Sequence, residues 1–323
     1  MARRPLTHDE LVAGVLAGDH RALARSISLV ENRDPGALAL IQELYPRTGS
    51  AFAVGVTGPP GVGKSSLIAA LVRHVRALGL TVGVVSVDPS SPFTRGALLG
   101  DRIRLADHFL DPGVFIRSMS TRGHVGGLAE ATLQSLLLLD AAGRDIVFLE
   151  TVGTGQSEVE VMSIADEVLL VLMPGSGDSV QALKAGIMEI PDVIAINKMD
   201  QPGATSMRND IRAVMSLDPE SRHRPAIVLT EATRGEGVDA LWGTLVDRRD
   251  ALAAAGELEA RRQRNLADEV VGAATARARA GIEAAIAGEP ELAELIAAVQ
   301  RRELDPLTAV DRIAAAVLRE GAS

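Results

Sequence analysis

From residue 51 onward the chain alternates between short, nearly unbroken apolar runs and longer stretches of helical spacing. The runs are AFAVGVT (51–57), TVGVVSV (81–87), VFI (114–116), DIVFLE (145–150), EVLLVLM (167–173), DVIAIN (192–197) and AIVLT (226–230). They are β-branched and mostly lack polar alternation, so both faces of each strand are expected to be covered. Helical patterns at 64–78, 126–142, 179–189 and 203–216 lie between several of them. Short buried strands separated by helices predict an α/β fold, a mostly parallel sheet with helices on both faces.

The flanks read differently. Residues 8–45 carry helical stripes: Leu11, Val12, Val15 and Leu16; Leu23, Ile27 and Val30; Leu38, Ile41 and Leu44. Asp19 and Asp34 stand where helix-start residues belong. After Leu241 no strand signal returns, and 241–285 and 290–320 are rich in Ala, Leu, Glu and Arg, with Pro290 and Pro306 as breaks. The expected organisation is an N-terminal helical extension (1–48), a central α/β domain (49–240) and a C-terminal helical region (241–323).

Composition narrows the class. With 2% aromatic residues, the core must be built from Leu, Val, Ile and Ala. A net charge of -9 argues against a general nucleic-acid-binding surface, which needs a basic face. With no cysteine, disulfides, thiolate metal sites and thiol nucleophiles are excluded. The start MARRPLTHDELV has no signal-type apolar run, and no segment approaches the ~20 apolar residues of a membrane span. The cytoplasm is the expected compartment and no membrane partner is expected. Lys and Arg total 33, yet lysine stands at only three positions, Lys64, Lys184 and Lys198. Each asks for a reason why arginine would not serve.

The first lies in G-P-P-G-V-G-K-S (58–65), which fits G-x-x-x-x-G-K-[ST] between a predicted strand and a predicted helix. Gly58, Pro59, Pro60, Gly61, Val62 and Gly63 would form a turn whose backbone N–H groups face one concavity, with the positive end of the helix behind them. Lys64 would set a compact cation against the β/γ-phosphates, where a planar guanidinium is too bulky. Ser65 would hold Mg²⁺ through its hydroxyl, and Ser66 would sit near the α-phosphate.

The second lysine lies in N-K-M-D (197–200), after the strand DVIAI. A carboxylate at Asp200 can accept from the ring N–H and amino group of guanine, whereas adenine reverses that donor pattern. Asn197 can bridge base and phosphate loop, and the stem of Lys198 can lie along the base. Downstream T-E-A (230–232) ends another strand, where a backbone N–H around Glu231 and Ala232 would meet the guanine oxygen.

Acidic residues suited to a metal stand at strand ends. Asp88 ends the strand after the first helix, and Glu150 ends DIVFLE; Asp101 follows a Gly-containing stretch. Each could act on Mg²⁺ or its waters. Gly153 could offer an N–H to the γ-phosphate. No residue declares itself a catalytic base: Gln156 could orient water, and a plain loop glutamine is an equal reading. No arginine finger is evident, so slow hydrolysis by the chain alone is expected.

VDPSSP, LLGDRIR (98–104), TRGHVGGL (121–128), ETVGTGQSEVEV (150–161) and AINKMD together resemble the MeaB/ArgK/MMAA GTPases over nearly the whole chain. The resemblance implies a SIMIBI-type phosphate-loop fold, commonly dimeric through C-terminal helices. It also implies GTP hydrolysis to GDP with Mg²⁺, and a role gating cofactor loading and protecting a cobalamin-dependent acyl-CoA mutase. It gives the third lysine a role: G-S-G-D-S-V-Q-A-L-K-A-G (175–186) is similar to the family's segment coupling nucleotide state to the mutase, with Asp178, Gln181 and Lys184 as polar contacts. TRGHVGGLA and DPGVFIR lean towards the ArgK branch, which leaves the mutase served open; His124 there could contact a partner.

Two other readings compete. A nickel-delivery GTPase needs clustered ligands, but the six histidines (8, 20, 74, 108, 124, 223) are scattered. A kinase or ATPase tied to amino-acid transport, as ArgK labels suggest, conflicts with the base choice implied by Asp200.

Overall fold

The computed structural model describes residues 4, 6–88, 105–120, 127–151, 162–175, 191–216 and 224–320. Seven strands, β1 (Phe52–Thr57), β2 (Val82–Asp88), β3 (Val114–Ser120), β4 (Ile146–Thr151), β5 (Glu167–Leu172), β6 (Val193–Ile196) and β7 (Ala226–Leu229), form one sheet in the order β3-β2-β4-β1-β5-β6-β7. Every pairing is parallel. All seven coincide with the apolar runs. A parallel sheet needs cover on both faces, and that need makes its strands continuously apolar rather than alternating. β1 lies at the centre, so the chain that leaves it emerges mid-edge, at the carboxyl ends of the strands.

Helices α1 (His8–Leu16), α2 (His20–Glu31) and α3 (Pro35–Leu44) precede the sheet. Thr7 and Glu10 close a capping box on α1, and Asp19 and Asp34 cap α2 and α3. Leu11, Val15, Leu23, Ile27, Leu40 and Leu44 pack with Leu138 and Leu139 of α5 (Gly127–Ala141; α4 is Lys64–Ala77) and with Val147 and Leu149 of β4. The N-terminal helices thus share a core with one face of the sheet. Leu16 and Leu38, counted among the stripes, are exposed instead. At 3.6 residues per turn, Leu16 falls past the edge of the face set by Leu11, Val12 and Val15. The opposite face carries α4 and α7 (Val238–Ala254), whose Leu67, Leu71, Trp242 and Leu245 meet Val54, Val56 and Phe148. Met207 and Ile211 of α6 (Ala204–Ser216) cover Leu170, Leu172, Ile194 and Ile196.

Gly256, at φ 72°, ends α7, and α8 (Glu257–Gly288) follows. Pro290 and Pro306 do break the tail, each by opening a helix, α9 (Pro290–Gln300) and α10 (Pro306–Glu320), in the first turn where a missing N–H costs nothing. The chain divides into two compact units, Met1–Ala267 and Asp268–Ser323. That division falls inside α8. Within the second unit α9 and α10 pack together, and Leu292, Ala309 and Ile313 are buried. Among the described residues no helix is long and apolar enough to cross a membrane.

Candidate nucleotide site

β1 hands over to α4 through residues 58–63, the turn expected of a phosphate loop. A side chain at Gly58, where φ is 139°, would place its Cβ 2.1 Å from the Val171 carbonyl oxygen of β5. One at Gly63, φ 95°, would meet the Asn197 amide at 2.6 Å. These two glycines are therefore required by close approach as well as by backbone angle. Gly63 is the N-cap of α4 and brings no side-chain acceptor, so the first-turn N–H groups of the helix stay available to an anion.

The carbonyls of the loop are held from behind. Lys64 is 7% exposed, and its Nζ donates to the Gly58 oxygen at 2.6 Å and the Pro59 oxygen at 3.1 Å. Lys198 Nζ donates to the Gly61 oxygen at 3.0 Å, and Asn197 Nδ2 to the Val62 oxygen at 2.9 Å. In a planar trans peptide the N–H points opposite the carbonyl. The Val62 and Gly63 N–H groups therefore face away from Lys198 and Asn197. Pro59 and Pro60 have no N–H and can contribute only shape.

Beneath the loop lies a buried hydroxyl–carboxylate group. Ser65 Oγ donates to Glu150 Oε1 at 2.6 Å, and Ser86 Oγ donates to Glu150 Oε2 at 3.0 Å. The sheet builds this contact: Ser86 on β2 and Glu150 on β4 are register partners and so share a face. Hydroxyl and carboxylate oxygens are the hard donors that suit Mg²⁺. Sequence reasoning missed Ser86. A serine inside an apolar strand carries no motif, and only the strand register reveals its neighbour.

Asn197 is 2% exposed and joins three segments. Besides its bond to Val62, its Oδ1 accepts from the Ala232 N–H at 3.1 Å and from Thr230 Oγ1 at 3.3 Å. The turn is tightened by Met199 N–H to the Thr230 oxygen at 3.0 Å and by a left-handed Lys198, φ 56°. Lys198 Nζ also donates to Met173 Sδ at 3.1 Å. Asp200 is exposed on the rim. The Glu231 N–H is committed to the Glu236 oxygen at 2.9 Å. Of the two backbone donors expected near Glu231 and Ala232, the Glu231 N–H is thus taken up by an isolated bridge and the Ala232 N–H by Asn197 Oδ1.

Asp88 ends β2, at the carboxyl edge as expected. Asp101, Gly153, Gln156, His124, Asp178, Gln181 and Lys184 lie outside the described residues.

The amino edge of the sheet holds a second polar cluster that sequence reasoning missed. Arg262 donates to both oxygens of Asp166 at 2.7 Å and to the carbonyls of Gly49 and Ala51. Arg261 makes a similar fork on Asp192 at 2.9 and 3.0 Å. Asp166 and Asp192 also accept the Ala53 and Val168 N–H groups. Beside them Glu167 is fully buried, with Arg248 Nε at 3.5 Å. Burial pushes its carboxyl up to about 8; Asp192 and Asp166 push the same way, while Arg248 and Arg261 pull it down.

A phosphate loop at the centre of a parallel sheet, with an Asn-Lys-Met-Asp turn fastened to it, defines a phosphate-loop nucleotide-binding protein of the α/β class. Comparison with known proteins narrows this. The chain belongs to the MeaB family, described as methylmalonyl Co-A mutase-associated GTPase, whose profile matches residues 23–285. It is 44% identical over 319 residues, 98% of either chain, to a Pyrococcus abyssi protein named as a candidate GTPase. Over 263 residues it is 36% identical to GTPase ArgK of Escherichia coli, covering 79% of this chain and 80% of that one. It is 34% identical over 274 residues to a mitochondrial methylmalonic aciduria type A homologue of Mus musculus, covering 79% of this chain and 66% of the other. A crystal structure of an LAO/AO transport system kinase superposes with a TM-score of 0.73 at 26% identity, covering 98% and 100% of the two chains. The chain is a phosphate-loop GTPase with a SIMIBI-type fold.

Proposed function

We propose that this GTPase converts GTP to GDP and phosphate with Mg²⁺ and serves as chaperone and gatekeeper for a cobalamin-dependent acyl-CoA mutase of the methylmalonyl-CoA type. It would act as a cytoplasmic homodimer that joins through its C-terminal helices. The observation that carries the nucleotide half is Asn197, one buried amide tying the phosphate loop, the Thr230–Ala232 segment and the Asp200 turn into a single rigid receptor. The mutase half is supported by the family's description and by the methylmalonic aciduria relative.

In this reading the Val62 and Gly63 N–H groups and the amino end of α4 receive the phosphates. Lys64 exchanges two carbonyl acceptors for β- and γ-oxygens, a swap open to an ammonium with three rotatable donors. Ser65 gives its proton to Glu150 and so keeps its lone pairs for the cation. Ser65 would hold Mg²⁺, with Asp88, Asp101 and Glu150 acting on it or its waters, and the ion would supply charge neutralisation for the phosphates. Asp200 reads the guanine edge, the Ala232 N–H meets its oxygen, and Gly153 adds a γ-phosphate donor. Asp178, Gln181 and Lys184 carry the nucleotide state to the mutase.

Two measurements test the two halves separately. Affinities for GTP and ATP are compared in the wild-type chain and in Asp200→Asn. The variant loses about 10- to 100-fold in GTP affinity, the worth of one bidentate base contact; equal wild-type binding of GTP and ATP would sink guanine recognition. A pull-down from the source organism, followed by hydrolysis assays with the recovered mutase, examines the partner. Stimulation is expected, and its persistence unchanged in Lys184→Ala would remove that residue's role.

A further inference from the structure

We infer that Ser86 is a positioning residue for the cation site: its hydroxyl fixes the Glu150 carboxylate so that Ser65 presents its lone pairs to the metal. The inference rests on the Mg²⁺–GTP reading above and goes beyond it, because no motif of that reading contains Ser86.

Ser65, Ser86 and Glu150 are only 4%, 6% and 6% exposed. Each carboxylate oxygen receives one hydroxyl, Oε1 from Ser65 at 2.6 Å and Oε2 from Ser86 at 3.0 Å. The terminal torsion of a carboxylate is broad, as for other sp³–sp² bonds. A donor on the second oxygen, fixed to a neighbouring strand, restricts it. The orientation of Glu150 then dictates that of the Ser65 hydroxyl. A hydroxyl whose proton is committed to a carboxylate offers lone pairs in the remaining directions, and only those can bind a cation.

The surroundings show why a serine stands there. Val84, on the same face of that strand, is a buried apolar residue. A hydroxyl on that apolar face is costly unless it is bonded. The bond to Glu150 removes that cost and simultaneously satisfies a buried carboxylate oxygen. Such outer partners of a metal site change affinity by about 10- to 100-fold when removed.

The test uses the full chain in its GDP complex with Mn²⁺ as a paramagnetic probe, followed by electron paramagnetic resonance titration. Ser86→Ala is expected to weaken Mn²⁺ binding about 10- to 100-fold. GDP affinity in EDTA should stay near the wild-type value. Ser86→Thr, which keeps the hydroxyl, should bind Mn²⁺ close to wild type. Unchanged Mn²⁺ affinity in Ser86→Ala would overturn the inference. So would Ser86→Thr binding as weakly as Ser86→Ala, or an equal loss of GDP affinity in EDTA, which would mark general damage. A wild-type GDP complex that takes no Mn²⁺ would overturn the Mg²⁺ reading itself, and this inference with it.

Discussion

The two edges of one sheet use charge in opposite ways. At the carboxyl edge, Lys64, Lys198 and Asn197 hold loop carbonyls through single, directional donors. At the amino edge, Arg261 and Arg262 grip Asp192 and Asp166 with two-toothed forks, and strand N–H groups complete the same carboxylates. An ammonium on a carbonyl can trade one acceptor for another. A guanidinium matched to a buried carboxylate cannot do so without leaving a charge stranded. On the proposed reading the difference shows how this chain divides its cations: Arg261 and Arg262 hold lasting contacts, and Lys64 holds one that GTP would exchange.

The sharpest way to break this contrast is to cut the amino edge. Arg262→Ala leaves the 5%-exposed Asp166 side chain without its fork. A loss of about 3–5 kcal/mol of stability is expected, as for other buried pairs deprived of one partner. Urea denaturation measures it. If guanine-nucleotide affinity fell while stability held, the division of labour between the edges would be wrong. Lys64→Ala probes the opposite edge and should do the reverse. Turnover of GTP should drop on the order of 10²- to 10³-fold, as for loss of one preorganised charge donor, while the denaturation midpoint moves little.

A third test concerns Glu167, whose carboxyl is raised to about 8. The unfolded chain sheds this proton near the ordinary carboxylate value of 4.5, whereas the folded chain keeps it up to about 8. The folded state therefore binds more protons in that window, and stability falls as pH rises through it, by at most about 1.4 kcal/mol per pH unit for one group. Glu167→Gln should match wild type near pH 5 and exceed it near pH 8. Denaturation curves at both pH values check this; parallel pH profiles for the two proteins would show that the carboxyl does not titrate there.

Much of the carboxyl edge was legible in the sequence because its parts are contiguous. Gly58–Ser65 and Asn197–Asp200 are short motifs, each delivered by a strand that periodicity locates. The strands themselves read clearly because a parallel sheet hides both faces. The amino edge was illegible for the opposite reason. Arg262 and Asp166 are 96 residues apart, and Arg261 and Asp192 are 69 apart. Nothing local in a run of Arg and Ala announces a distant carboxylate. Ser86 was hidden by register, and Glu231 was expected to help donate to the base because the motif does not disclose the bridge to Glu236. Leu16 and Leu38 belong to the stripes but are exposed, because stripes drawn by spacing alone run on past the face that a neighbour covers. Gly256 went unnoticed as a helix stop inside an otherwise helical composition.

The 2.1 Å that would separate a Gly58 Cβ from the Val171 oxygen has a consequence for anyone redesigning this protein. Loop and sheet cannot be tuned independently there. Even a methyl group at 58 would pry β1 from β5, so saturation mutagenesis should return glycine alone, and any wider seat would have to be engineered from the β5 backbone outward.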